Sequence, residues 1–287
     1  MKLNIRLKAI IYMIIASTLF TTLNLFGKLS VGITLYEKNF ISNIIAFIII
    51  AIVMIKNKIS FIGKSKNRKF LLIRGVCGTL SGFSLYYTLD HLILSDSTLL
   101  SKLGPFFATI FSFIILKDKV DKKQILFLFI TFCGALFVIK PNISLEIFPA
   151  LIGLFGAACA GLAFTMIRLI GKDEDEFTII FYNIFISALA SSPFIFLHAG
   201  NLSRHAPSVV FMILGGLCIS FGQIFLTLAY KNAPASSIAM YDYIGLIVSA
   251  IYGILIFSEY PDLWSVLGYI LILSVSVINF IIAKKSL

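Results

Sequence analysis

The chain has 287 residues, of which 59% are hydrophobic and 13% are charged, and its mean hydropathy is +1.02. Soluble domains are about 45–50% apolar and about 25% charged, so the composition excludes a soluble enzyme, a nucleic-acid-binding module or a disordered linker as a description of the whole chain. The net charge of +11 does not indicate a nucleic-acid partner, because the basic residues are spread over alternate loops.

Ten stretches are apolar and long enough to cross a hydrocarbon core of about 30 Å, which takes roughly 20 helical residues. In chain order they are 9–27, 39–55, 71–89, 97–116, 124–139, 149–167, 177–197, 208–230, 236–257 and 264–283. The first is longer than a signal-peptide core and lacks an Ala-x-Ala site, so we expect a retained helix. The sequence therefore predicts an all-α integral membrane protein with ten transmembrane helices.

The basic residues predict the orientation of these spans. If the N-terminus is cytoplasmic, the inner segments hold 18 Lys and Arg, whereas the outer segments hold four, Lys28, Lys38, Lys140 and Arg204. Cytoplasmic loops carry such an excess of positive charge, and an even number of spans places both termini on one side. We therefore expect a multi-pass protein of the cytoplasmic (plasma or inner) membrane with both termini cytoplasmic and lipids as partners.

The two halves of the chain contain similar segments. Residues 100–105 (Leu-Ser-Lys-Leu-Gly-Pro) precede one apolar helix, and residues 240–245 (Met-Tyr-Asp-Tyr-Ile-Gly) precede another. Two halves of five helices each would insert in opposite directions, and such inverted repeats recur in secondary transporters. We expect residues 1–142 to form the first five-helix repeat and residues 143–287 to form the second.

Short motifs follow one another through nearly the whole chain in a fixed order. They are residues 24–28 (Asn-Leu-Phe-Gly-Lys), 74–75, 97–118, 221–229, 234–237, 241–243, 259–262 and 267–269. In these motifs the chain resembles the EamA-type transporters of the drug/metabolite transporter superfamily. The resemblance implies ten helices in two inverted repeats and a small organic solute, such as an amino acid, a nucleoside derivative, a vitamin or a drug. The chain departs from the family pattern at Ser42, where many relatives carry arginine. Any role that this arginine has in relatives is therefore not assigned to Ser42.

Two charged residues lie well inside the predicted spans, Lys102 in the fourth and Asp242 in the ninth. A charge in hydrocarbon costs about 2.5–3.5 kcal/mol on insertion scales, so each is a functional-site hypothesis. In straight helices they would be offset by roughly 15 Å along the helix axes, too far for a direct salt bridge. We expect Lys102 to attract a carboxylate or phosphate and Asp242 an amine or a coupling proton, as a zwitterion would require. Structural pairing, packing or snorkelling of Lys102 are the alternatives.

Polar and aromatic residues at similar depth complete the candidate substrate site, because hydrogen-bonding groups there can replace a solute's water. They are Asn24, Asn43, Tyr86, Asn183, Gln223, Tyr241 and Tyr243. The same side chains could instead join helices to one another. Pro105 and Pro193 predict helix bends, and Gly78 and Gly82 form a GxxxG motif that predicts close helix packing. The acidic run at 173–176 is interpreted as a solvated loop.

Neither catalysis nor a bound cofactor or metal is predicted. The four cysteines lie singly in apolar runs, and the histidines are scattered over outer loops (His91, His198 and His205). We expect a secondary transporter that works by alternating access, as a monomer or homodimer, with a coupling proton or counter-substrate as an open further partner. A flippase or scramblase-like conduit for lipids or lipid-linked substrates is the first alternative. A membrane-embedded enzyme is the second, and it is disfavoured because no catalytic cluster is visible.

Overall fold

The computed structural model describes residues 5–117, 147–197, 205–233 and 241–285, together with residues 126, 129–130, 133–134, 137 and 238. In chain order its helices are α1 (Ile5–Leu29), α2 (Leu35–Lys56), α3 (Arg68–His91), α4 (Leu94–Ser101), α5 (Gly104–Leu116), α6 (Ile147–Ile170), α7 (Glu176–Leu197), α8 (Ala206–Asn232), α9 (Ile244–Phe257) and α10 (Leu263–Lys285). Short 3₁₀ turns lie at Ser65–Asn67 and Gly171–Asp173. The described residues contain no strand, so the all-α prediction is confirmed for that part of the chain.

Six helical segments are long and apolar enough to cross a membrane. They are residues 7–29, 35–56, 94–116, 147–173, 176–195 and 206–232, and α9 and the first part of α10 form shorter apolar helices. The helix α3 has 24 residues but is less apolar than these six, because charged side chains such as Arg74 and Asp90 lie within it. The predicted fifth span, 124–139, lies almost wholly outside the described residues.

The second helix begins earlier than predicted because a capping box fixes its start. The Thr34 hydroxyl accepts a hydrogen bond from the Glu37 backbone N–H (3.3 Å), and the Thr34 N–H donates to the Glu37 carboxylate (2.6 Å). The two bonds satisfy donors that a helix N-terminus otherwise leaves unpaired. The polar residues before position 39, which looked like loop, therefore form the first turn of α2.

The fourth span is interrupted in its middle. α4 ends at Ser101 and α5 begins at Gly104, with Lys102 and Leu103 in the turn between them. Pro105 is in the first turn of α5, where the missing N–H removes no intrahelical hydrogen bond. In place of the bend predicted at Pro105, the structure has a two-residue turn just before it.

The predicted ninth span has a matching interruption. Residues 241–242 are helical, Tyr243 forms a turn, and α9 begins at Ile244. The helices that follow the two breaks also end alike, on Lys117 (φ 54°) and Ser258 (φ 55°) in the left-handed conformation. The internal similarity seen in the sequence therefore extends to helix geometry.

Helices from the two halves of the chain interlock. α1 packs along α8 and α3 along α6, while α2 packs along α7. α2 also contacts α8 and α3 contacts α7; α9 lies against α1 and α5 lies against α6. By their order in the chain, α1, α2, α3 and α5 of the first half correspond to α6, α7, α8 and α9 of the second. When each helix is replaced by its counterpart, every one of these contacts becomes a contact that is also present.

Large apolar side chains are exposed on the outside of the bundle, whereas many polar side chains are buried inside it. Ile114, Leu189 and Leu255 are 62%, 58% and 76% exposed, whereas Ser191 and Thr98 are fully buried. Water would penalise this distribution, but lipid does not, because the polar groups find partners inside the bundle.

Candidate functional site

A cavity of about 170 Å³ lies between helices of both halves, and polar side chains form much of its wall. Its wall includes seven of the residues that the sequence singled out. They are Asn24, Asn43, Tyr86, Lys102, Asn183, Gln223 and Asp242. The helix interruptions at Lys102 and beside Asp242 therefore occur at the cavity, where backbone without regular helical hydrogen bonds is tolerated in a membrane protein.

Lys102 and Asp242 form a direct ion pair at this cavity, with Nζ 2.7 Å from Oδ1. Their side chains are 6% and 12% exposed. The expectation that they lie too far apart was wrong, because it assumed straight, uninterrupted helices. The break places Lys102 in a turn rather than in a helix, and α4 begins before residue 97, which brings Lys102 closer to the middle of the span.

Ser17 of α1 completes the surroundings of this pair. Its hydroxyl accepts hydrogen bonds from Lys102 Nζ (3.0 Å) and from the Gly245 backbone N–H (3.1 Å). The same hydroxyl donates to the backbone carbonyl of Asp242. Gly245 is needed here, since a Cβ at this position would lie 2.6 Å from the Ser17 hydroxyl. Ser17 thus joins α1 to both interrupted helices, and no charge or motif in the sequence marked it.

Arg74 is a third charge inside the bundle, and it was not predicted from the sequence. The side chain is 2% exposed and lines the cavity. Its two terminal nitrogens donate to Asn183 Oδ1 (2.8 Å) and Gln223 Oε1 (3.0 Å), and its Nε–H has no partner among the described residues. The expectation that Lys102 and Asp242 are the only deep charges was wrong, because Arg74 looked like the flanking residue of a span that starts at 71.

Gly78 clears the space that Arg74 and Asn183 occupy. A Cβ on Gly78 would overlap Asn183 Oδ1 and would lie 2.5 Å from an Arg74 terminal nitrogen. A Cβ on Gly82, the other glycine of the GxxxG motif, would meet only Asn39 Oδ1, at 3.2 Å. The motif therefore does bring helices close, as predicted, and its first glycine also makes room for a buried polar contact. This glycine one turn after Arg74 is the signal that could have located the site.

The other polar residues of the wall are joined in pairs. Asn24 donates to the Thr98 hydroxyl (3.2 Å), and its Oδ1 is buried without a partner in the described structure. Tyr86 shares a hydrogen bond with Ser42 (3.1 Å). Asn43 donates to Asn39 Oδ1 (3.0 Å) within α2. These contacts hold the amides and the phenol at fixed positions around the cavity.

Three predicted residues lie away from the cavity wall. Tyr243 is buried in an apolar cluster that includes Leu246 and Tyr269, and Tyr241 packs against the core formed by the ends of α1 and α8. Pro193 lies inside α7 on its exposed side. None of these three is among the residues that line the cavity. Among the described residues, no group of three or more His, Cys, Asp and Glu side chains could hold a metal ion.

Ionic contacts connect loops at the end of the bundle where α1 and α3 finish, called the Lys28 end here. Lys28 forms an ion pair with Glu259 (2.7 Å) and donates to the Leu92 carbonyl (2.8 Å). Glu259 also accepts from the Leu94 backbone N–H (2.9 Å). This arrangement ties α1 to the α3–α4 and α9–α10 connections.

The acidic run, residues 173–176, lies at the opposite end of the bundle, which is called the Lys66 end. Lys66 pairs with Asp173 (2.6 Å), and this ammonium lowers the pKa of the Asp173 carboxyl below its ordinary 3.8. Glu174 is buried and accepts from the Lys64 backbone N–H (2.6 Å) and from Asn67 (3.0 Å). The interpretation of 173–176 as a solvated loop was therefore wrong for Glu174, whose carboxylate replaces water with two donors of the α2–α3 loop.

The sequence matches the model of the EamA-like transporter family twice, over residues 7–140 and 147–281. The chain belongs to the EamA-like transporter family. The resemblance to EamA-type members of the drug/metabolite transporter superfamily is thereby confirmed, and the protein is a multi-pass membrane transporter.

Relatives of this EamA-like protein carry transporter names. The pseudopaline exporter CntI of Pseudomonas aeruginosa is 30% identical over 206 residues, which cover 70% of this chain and 71% of the exporter. Solute carrier family 35 member G1 is 27% identical over 272 residues in mouse, covering 90% of this chain and 74% of the relative. The human protein of that name is 26% identical over 281 residues, covering 93% and 77%.

A solved structure supports the fold. One crystal structure superposes with a TM-score of 0.73 at 12% identity, over 96% of this chain and 98% of the other. Agreement over nearly the full length of both chains shows that the EamA-like protein shares its overall helix arrangement with an experimentally determined fold.

Proposed function

We propose that this EamA-like protein is a secondary transporter that moves a small organic solute across the cytoplasmic membrane by alternating access. The observation that carries the proposal is the Lys102–Asp242 ion pair, which joins two interrupted helices at a cavity between the halves. Transporters of this kind bind solute and coupling ions near the bilayer midplane, beside broken helices. The names of the relatives, an exporter and a solute carrier, agree with a soluble cargo.

We further propose ten spans in two inverted five-helix repeats, 1–142 and 143–287. The two family matches, the matching interruptions before α5 and α9, and the helix contacts that recur on exchange of the halves all support this topology. The 18 inner and four outer basic residues support cytoplasmic termini.

The ion pair is the element that we propose to change between the two states of the transport cycle. A proton or a competing charged group that binds Asp242 would remove its attraction for Lys102 and leave a buried ammonium without a counter-ion. Such a charge is strongly unfavourable inside a membrane protein. The interrupted helices would then rearrange around Ser17. In this proposal, Asp242 is the residue that binds the coupling proton or the counter-substrate.

The neighbouring amides and phenol are proposed to contact the solute. Asn24, Tyr86, Asn183 and Gln223 line the cavity together with the charged residues. An amide offers both donors and an acceptor, so these side chains can replace the water of many polar solutes. The unpartnered Oδ1 of Asn24 is one acceptor that a solute donor would satisfy.

The test combines ligand discovery with transport. A thermal-shift screen of the purified protein against a metabolite library identifies a stabilising solute, and counterflow of that solute is then measured in proteoliposomes. We expect saturable exchange, at least tenfold lower in Lys102→Ala and in Asp242→Asn and unchanged in Lys172→Ala, which removes an exposed lysine. Wild-type exchange rates in both pair variants at normal expression would reject the assigned role. A non-saturable leak or lipid scrambling would favour the conduit.

A further inference from the structure

The charges on the cavity wall do not cancel. The charged residues that line it are Arg74, Lys102 and Asp242. Lys102 and Asp242 neutralise each other through their ion pair. Arg74 contacts the neutral amides of Asn183 and Gln223, and no carboxylate among the described residues forms an ion pair with it. The described wall therefore carries one uncompensated positive charge.

This charge acts in a medium where electrostatic effects are large. Low-dielectric surroundings strengthen the interaction of a buried charge with anything that enters the cavity, and a cleft of one sign raises the local concentration of the opposite sign. A cationic solute would meet repulsion from Arg74 and would find Asp242 already paired. A solute with a negative group would supply the missing counter-charge.

The guanidinium is also held ready for a ligand. Asn183 and Gln223 each accept one N–H and so fix the plane of the group, while Gly78 leaves room for it against α7. The buried Nε–H is unused among the described residues. A guanidinium presents five N–H donors in a rigid fork that matches the oxygens of a carboxylate or a phosphate. Arg74 therefore offers a positioned donor group as well as a charge.

We propose that the transported solute is an anion and that Arg74, positioned by Asn183 and Gln223, binds its carboxylate or other oxyanion group. The inference deepens the proposed function, on which it rests. It also moves the anion-binding role from Lys102, which Asp242 occupies, to Arg74.

The first experiment measures binding by thermal shift on the full-length protein in detergent. The probes are succinate, glutarate and inorganic phosphate, with succinamide, glutaramide and putrescine as neutral and cationic counterparts, all at one ionic strength. We expect at least one anion to raise the melting temperature by several degrees and its uncharged counterpart to leave it unchanged. A response to succinate or glutarate alone identifies a carboxylate ligand, and a response to phosphate alone identifies a phosphate ligand; each supports the oxyanion site.

Variants then assign the effect to Arg74. Arg74→Gln should weaken anion affinity at least tenfold, Arg74→Lys should weaken it less, and Arg68→Gln should leave it unchanged, because Arg68 is exposed on the same helix. Asn183→Asp keeps the side-chain shape and places a carboxylate next to Arg74. It should fold normally and abolish the anion shift, so the test stands even if Arg74→Gln does not fold.

Three results would overturn the inference: stabilisation by anions that survives unchanged in both Arg74→Gln and Asn183→Asp, stabilisation by glutaramide, succinamide or putrescine only, or no shift with any probe. The proposed function fails separately. Saturable counterflow of a neutral or cationic solute would reject the anion site and keep the transporter. Arg74-dependent anion binding without saturable flux of that anion would keep the site and reject transport.

Discussion

The Nζ atom of Lys102 lies 2.7 Å from the Oδ1 atom of Asp242, although 140 residues separate them in the chain. Each residue stands at the interruption of its own span, so the contact joins the break between α4 and α5 to the break before α9. A buried ion pair adds little net stability compared with a well-packed apolar pair, but removal of one partner is costly. The main structural effect of the pair is therefore to fix the positions of the two helix interruptions relative to each other.

Breaking this pair should be more damaging than removing it. Lys102→Ala or Asp242→Asn alone leaves an unpaired buried group, and each should lower the free energy of unfolding by about 3–5 kcal/mol. The double variant Lys102→Met/Asp242→Leu should lose clearly less than the sum of the single effects. Unfolding in mixed detergent micelles measures all three, and strictly additive losses would show that the two side chains do not interact.

Adding one methyl group at Gly78 should disturb the Arg74 site. The new Cβ would overlap Asn183 Oδ1 and force apart the hydrogen bond to Arg74. Gly78→Ala should therefore lower the melting temperature clearly, by a loss of about 1–3 kcal/mol from the buried polar groups left without partners. Gly82→Ala is the matched control one turn later, where the added methyl meets only Asn39 at 3.2 Å. Equal melting temperatures for the two variants would contradict this account.

Neutralising Glu259 should loosen the Lys28 end. The carboxylate accepts from Lys28 and from the Leu94 backbone, and hydrogen bonds to charged groups contribute about 1.5–3 kcal/mol each. Glu259→Gln should destabilise the protein and increase hydrogen exchange in the α3–α4 connection. Lys28→Met should act in the same way, and the double variant should be no worse than the more harmful single one. If hydrogen exchange in Glu259→Gln were identical to that of the wild type, the proposed role of Glu259 in holding this connection would be wrong.

The Lys66–Asp173 contact should depend on pH in one direction. The pKa of Asp173 is lowered by Lys66, so the contact contributes fully above the ordinary 3.8 and is lost as the pH falls through the lowered pKa. Spin labels at the exposed positions 58 and 172 should report one narrow distance distribution at pH 7 and pH 5 that broadens only below about pH 3.8. Asp173→Asn should broaden it already at pH 7. Broadening between pH 7 and pH 5 would exclude Asp173 as the titrating group.

The sequence predicted the membrane class and most helices, because lipid requires long apolar runs and these are local features. The family was predicted from the order of short motifs along the chain. The sequence also located seven cavity residues through their polarity within the apolar runs. The helix starts were less accurate, since Thr34 and Glu37 form a cap whose polar character looked like loop. Tyr241 and Tyr243 lie close to Asp242 in sequence but not on the cavity wall, because the turn at Tyr243 points neighbouring side chains in different directions.

Long-range partners could not be read from a single chain. The ion pair depends on two breaks in separate helices, and a count of residues along straight helices placed its members too far apart. Arg74 escaped notice because its position near the start of a span resembles that of a flanking charge. Its burial depends on Asn183 and Gln223, which are distant in sequence and approach only when α7 and α8 pack beside α3 and the rest of the first half.

The interlocking of the two family repeats has a consequence for how this protein comes into being. Since α1 rests on α8 and α3 rests on α6, neither repeat encloses the cavity without the other. During synthesis, the first repeat emerges before the residues that its buried cations contact. Arg74 needs Asn183 and Gln223, and Lys102 needs Asp242, so these cations gain their partners only when the second repeat is in place.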